Sequence, residues 1–230
     1  MAWLLQLVEN GFLFFLLYTL SQPHTISLNK TLQKTIKMYR FVLLTFAASV
    51  SAYVILDSKC PEVTKVENFN FNSYGNGVWY EVARYPDDVV KNGKCGTLIY
   101  KQEGDVKKMK YTFVTNNELM TIEGTAALAK DAGTTGKLIH SLPYGANGTV
   151  IDSELNILAI DYDKFFVGYY CQFDEAQKNY REAAWIISRS KTLSEEAKAI
   201  VDKFVRDSKF LNAGKFEWSS VSGEDCRVDA

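Results

Sequence analysis

The chain has 230 residues, 26 of them Lys or Arg and 27 Asp or Glu, for a formal net charge of −1. A near-neutral chain without a basic cluster gives no footing for a nucleic-acid partner. With 47% hydrophobic residues it can bury a sizeable core, and its length suits one domain behind a leader.

Residues 1–52 do not read as part of that domain. Lys34, Lys37 and Met38-Tyr39-Arg40 lead into a short apolar run, 41–50, and Val50-Ser51-Ala52 supplies small residues for cleavage. This is the order of a secretory signal peptide, too short for a membrane span. Residues 38–52 are therefore read as signal peptide, cut after Ala52. Residues 1–37 hold a second apolar run, 11–20, preceded by Glu9 and without a basic residue before Lys30. They are read as an upstream or non-native extension, with translation starting at Met38; the alternative is an N-terminal anchor, somewhat short to span a bilayer. Residues 53–230 then form the folded domain.

All four cysteines, Cys60, Cys95, Cys171 and Cys226, lie in that domain, widely spaced and without a CxxC pair. Behind a signal peptide they read as two disulfides and not as a zinc or dithiol site. Four cysteines allow three pairings. Each bridge would contribute about 2–4 kcal/mol.

In chain order, Gly77-Val78-Trp79 opens a strand over 79–85, and a second strand follows over 96–101. Over 106–114, Met109, Tyr111 and Phe113 alternate with Lys108, Lys110 and Thr112, the period-two pattern of a strand with one buried face. Asn116-Asn117 makes a tight turn into 119–126, where Met120, Ile122, Gly124 and Ala126 share a face. Further strands are predicted over 136–142, 151–160, 165–173 and 180–188. Eight sequential antiparallel strands close into an up-and-down barrel with room for one small ligand. Thr192-Leu193-Ser194-Glu195 reads as a capping box. It opens a helix whose Leu193, Ala197, Ile200, Val201 and Phe204 form one apolar face against the outside of the barrel. A last strand near 216–221 brings Cys226 back to it.

Asp161-Tyr162 ahead of 165–171, and Trp185 to Arg189 ahead of the helix, complete a three-part pattern with Gly77 to Trp79. Cys60-Pro61-Glu62-Val63, Gly93-Lys94-Cys95-Gly96, Gly168-Tyr169-Tyr170-Cys171 and Ser188-Arg189-Ser190-Lys191 add to it. From Cys60 to Cys226 the chain resembles the insect bilin-binding, apolipoprotein D-like branch of the lipocalin family. The resemblance implies an all-β, eight-stranded lipocalin barrel with one C-terminal helix outside, bonds Cys60–Cys171 and Cys95–Cys226, and Trp79 packed under Arg189 at the closed end.

It also implies a ligand inside the open end. If Cys171 points out to reach Cys60, then Phe166, Gly168, Tyr170 and Gln172 point in. Matching the family's pocket adds Val89, Tyr111, Phe113, Ile122, Leu142, Tyr144, Arg181, Ala183 and Trp185. The expected cavity is apolar and aromatic with few polar groups, with Phe113 and Tyr170 on neighbouring inward faces. Tyr hydroxyls and Arg181, near the mouth, would orient the ligand. Ordinary core packing is the competing reading for each aromatic residue, and solvation for Arg181.

The implied ligand is a non-covalent, biliverdin-type bilin carried in secreted, haemolymph-like fluid. The mature chain would not insert stably in a membrane, and a homo-oligomer is compatible with this reading. The turn 145–149 is longer than the family pattern, and Phe113 and Ala183 replace polar or bulkier groups. A general carrier of fatty acid, sterol, retinoid or carotenoid is therefore the alternative. An isomerase needs a free barrel cysteine, which the disulfide pattern removes. A secreted inhibitor or signalling protein working through its loops is a third class. His140, the only histidine outside the leader, reads as packed or surface, without a partner for catalysis or metal binding. Asn147-Gly148-Thr149 is a glycosylation sequon in a turn.

Overall fold

The computed structural model of the chain describes residues 54–56, 58–87, 90, 92–144, 148–175, 177–219 and 221–228, with Tyr144 described by its backbone alone. The expected extension 1–37, the expected signal peptide 38–52 with its cut after Ala52, Val89 and Asn147 lie outside the described residues.

Eight strands carry the fold: β2 (Val78–Arg84), β3 (Lys94–Glu103), β4 (Val106–Thr115), β5 (Glu118–Leu128), β6 (Lys137–Tyr144), β7 (Thr149–Asp161), β8 (Phe165–Asp174) and β9 (Asn179–Ser188). Each pairs antiparallel with the next, and β9 pairs back onto β2, closing the barrel and removing free sheet edges. Asn116 and Asn117 join β4 to β5 at φ of 51° and 60°, the left-handed conformation that a two-residue hairpin turn needs and asparagine tolerates. β1 (Val54–Leu56) pairs with the start of β9, and β10 (Glu217–Trp218) pairs with the end of β2.

Strand alternation divides the apolar residues into two cores. Trp79, Met109, Tyr111, Phe113, Leu138 and Phe166 belong to the inner one. Val167, Tyr169, Ala184 and Ile186 belong to the outer one, which α2 (Glu195–Asp207) covers. The covering stripe of α2 is Ala197, Val201 and Val205, an i, i+4, i+8 set, while Ile200 is 46% exposed. Leu193 and Phe204 of the expected face also pack against this core, so the sequence pattern misplaced only Ile200 and missed Val205; the helix itself starts later than the expected capping box. Ser194, not Thr192, is the N-cap, its Oγ accepting from the Ala197 amide at 3.2 Å.

A single helical turn, α1 (Phe71–Tyr74), precedes β2 and escapes any periodicity argument by its length. Its N-cap is Asn70, whose side chain accepts from the Ser73 amide at 3.0 Å. The disulfides are Cys60–Cys171, tying the entering chain to β8, and Cys95–Cys226, tying the C-terminal chain to β3. This is the pairing the resemblance implies, and it leaves none of the four cysteines as a thiol.

Candidate functional site

The closed end is a stack built around Trp79, which is fully buried. The Arg189 guanidinium lies 3.5 Å from the centre of the Trp79 ring. Its nitrogens donate to four carbonyls: Tyr162 at 2.9 Å, Ser73 at 3.0 Å, Val78 at 3.2 Å, and Asn76. Gly77 makes room for this at φ 72°, a left-handed conformation that a side chain would strain. The Trp79 indole donates to the Tyr74 carbonyl at 2.8 Å, and the Tyr74 and Tyr100 hydroxyls bond at 2.7 Å. Phe166 meets the Trp79 ring edge-on at 4.9 Å. Burial is the largest cause raising the Tyr74 and Tyr100 hydroxyl pKa values, with Tyr100 adding to the rise at Tyr74. The charged groups at this end are Arg189 and the buried Lys107, whose Nζ lies 5.1 Å over the Phe71 ring and donates to Gln102 at 2.5 Å.

One inward position above Trp79 the interior changes character. Glu81 is 2% exposed and pairs with Arg84, which is 5% exposed; the Tyr111 hydroxyl donates to Glu81 at 3.1 Å. Arg84 also donates to the carbonyls of Val90 at 2.7 Å and Gly93 at 2.9 Å, and faces Asp87 at 3.6 Å. Desolvation raises the Glu81 pKa against the pull of Arg84, and raises Tyr111 further, with Glu81 adding to it. The expected cavity with few polar groups is thus corrected: a buried carboxylate and guanidinium form part of its wall. Glu81 was legible, being two residues from Trp79 on a strand. Arg84 was not, because the register shift between Glu81 and Ala83 breaks the alternation.

Tyr111 stacks on Phe113 at 5.4 Å on β4, with Ile122, Leu142 and Trp185 packed against the same inner core as Phe166. Ala183 is buried, and Tyr170 stands opposite it on β8. The Tyr170 hydroxyl donates to Gln172 at 2.8 Å, near the exposed rim. Arg181 is held by Asp174 at 2.5 Å, so it is not simply solvated. Phe113 and Tyr170 are not on neighbouring faces, since β4 and β8 are opposite walls of the eight-stranded ring.

His140 is an interior residue. It alternates with Leu138 and Leu142, which join the inner core, and stands between Ala126 on β5 and Ser153 on β7. Its Nε2 is sealed from solvent and has no hydrogen-bond partner, and desolvation lowers its pKa to about 4.

A closed antiparallel barrel with an arginine-capped tryptophan floor and an outer C-terminal helix defines a lipocalin, and the chain belongs to the lipocalin / cytosolic fatty-acid binding protein family, whose model matches residues 76–216. It is 38% identical over 192 residues to Bilin-binding protein of Pieris brassicae, covering 84% of this chain and 100% of that relative. Identity to Insecticyanin-B of Manduca sexta is 30% over 196 residues, covering 83% and 94%. The solved insecticyanin of Manduca sexta superposes with a TM-score of 0.69 at 29% identity, over 76% of this chain and 93% of that one. Lobster apocrustacyanin A1 shares the fold, with a TM-score of 0.56 at 22% identity, over 68% and 82%.

Proposed function

We propose that the barrel binds and transports a small, flat hydrophobic ligand, a biliverdin-type bilin held without a covalent bond. The observation that carries this reading is the stacked Tyr111–Phe113 pair on the inner wall, set among Ile122, Leu142 and Trp185. Aromatic faces supply a large contact area to a conjugated ligand, and a few polar groups fix its orientation. The similarity to a relative named for bilin binding supports the same class. With every cysteine in a disulfide, no thiol is left to form a thioether to the pigment or to act as a nucleophile.

The lining proposed from the family positions keeps Val89, Tyr144, Phe166, Tyr170, Gln172, Arg181 and Ala183 beside those residues. Two disulfides and the signal pattern of 38–52 support an extracellular site of action. Asn147 is proposed to carry a glycan there.

Titration with biliverdin, followed by the visible band and tryptophan quenching, tests the reading against retinoid, carotenoid and fatty acid. Biliverdin is expected to bind saturably and more tightly than the others. Phe113→Asp sets a charge in a dry aromatic wall and is expected to weaken it by at least about tenfold while thermal unfolding stays cooperative. Biliverdin binding no tighter than that of the fatty acid would move the assignment to a general lipid carrier.

A further inference from the structure

Among the inward-facing residues, His140 has an unmet bonding group. A buried nitrogen without a partner costs free energy in the empty barrel, and the cost is recovered when the imidazole turns to meet an occupant that supplies the partner. The position is also informative. His140 lies one inward residue above Leu138, as Glu81 lies one above Trp79, and β6 stands directly opposite β2 in the ring of eight strands. Polar groups therefore line two facing walls partway up the barrel, in addition to those at its rim.

We infer that His140 anchors the ligand from within, its Nε2 hydrogen-bonding a polar atom in the middle of the bound molecule. This rests on the pigment-binding reading and sharpens its chemistry. A fatty acid carries its polar atoms at one end, and its hydrocarbon middle would leave Nε2 unpaired. A linear tetrapyrrole carries N–H and C=O groups along its length, so one meets the imidazole while the rings face Tyr111 and Phe113. Since the imidazole is uncharged at neutral pH, it offers one N–H donor and one acceptor nitrogen, and either pairs with such a molecule.

The test uses the full chain and two variants. His140→Leu fills the space without a polar atom; His140→Gln keeps a donor and an acceptor. Biliverdin affinity is expected to fall about tenfold in His140→Leu, with a shifted visible band, and to stay within about threefold in His140→Gln. Fatty-acid affinity should not fall in either. With ¹⁵N-labelled histidine, the imidazole signal absent from His140→Leu should move when biliverdin is added. Equal biliverdin affinity and an unshifted band in His140→Leu would overturn the inference, as would an equal loss in His140→Gln. If the unaltered protein shows no preference for biliverdin, the pigment reading fails by itself. The same pair of variants is then compared with whichever probe binds: a loss in Leu that Gln restores supports the anchor, and equal affinities overturn it.

Discussion

The floor of the barrel and the layer above it are built from the same alternating strands yet treat polar groups in opposite ways. At the floor the indole donor of Trp79 is paired, Arg189 is spent on backbone carbonyls and the buried Lys107 donates to Gln102, so the polar groups there are already engaged. Above it, Glu81, Arg84 and Tyr111 form a desolvated network and His140 stays unpaired. A layer whose hydrogen bonds are internally complete serves stability. One that keeps buried polar capacity gives up stability in the empty state and gains selectivity in the filled one.

The sharpest break in that comparison comes from Trp79→Ala. It leaves a cavity under Arg189 and is expected to cost about 3–5 kcal/mol by denaturant unfolding, with the ranking of ligands unchanged. A variant of full stability that selectively loses one ligand would remove the floor's purely structural role.

A pH series on the ligand-free protein examines the upper layer. The His140 pKa falls from 6.5 in the unfolded chain to about 4 in the folded one. Between those values the unfolded chain takes up a proton and the folded one does not, so stability present above pH 6.5 is lost as the pH falls through 4. The loss is roughly 3 kcal/mol at most. Glu81, whose pKa is raised, acts with the opposite sign. Subtracting the curve of His140→Leu isolates the histidine; a difference that is flat from pH 7 to 4 would remove His140 from the buried interior.

The smallest effect is a control outside both layers. Ser194→Ala removes the N-cap of α2 and is expected to cost about 1 kcal/mol without altering any ligand titration.

Several parts of this architecture were open to reading along the chain. The alternation of Met109, Tyr111 and Phe113 with lysines states which face is buried, and Asn116-Asn117 states where the hairpin turns. Both signals are local, since side-chain direction and left-handed backbone depend on neighbours in sequence. The spaced Gly77 to Trp79 and Arg189 motifs located the floor, although only the resemblance joined them. The helix and most of its apolar face were found, Leu193, Ala197, Val201 and Phe204 packing on the outer core, but its start was set two residues early, because Thr192 and Ser194 offer the same capping hydroxyl and sequence alone does not choose between them.

What the sequence by itself determined was therefore the barrel: strand periods, turn chemistry and the residues facing in. Tertiary structure alone decided how the interior is wired. A register shift in β2 turns Arg84 onto Glu81, and the closing of the ring sets His140 across from them between Ala126 and Ser153. Whether a buried polar atom finds a partner depends on strands far apart in sequence meeting at one depth, and no local pattern records that distance.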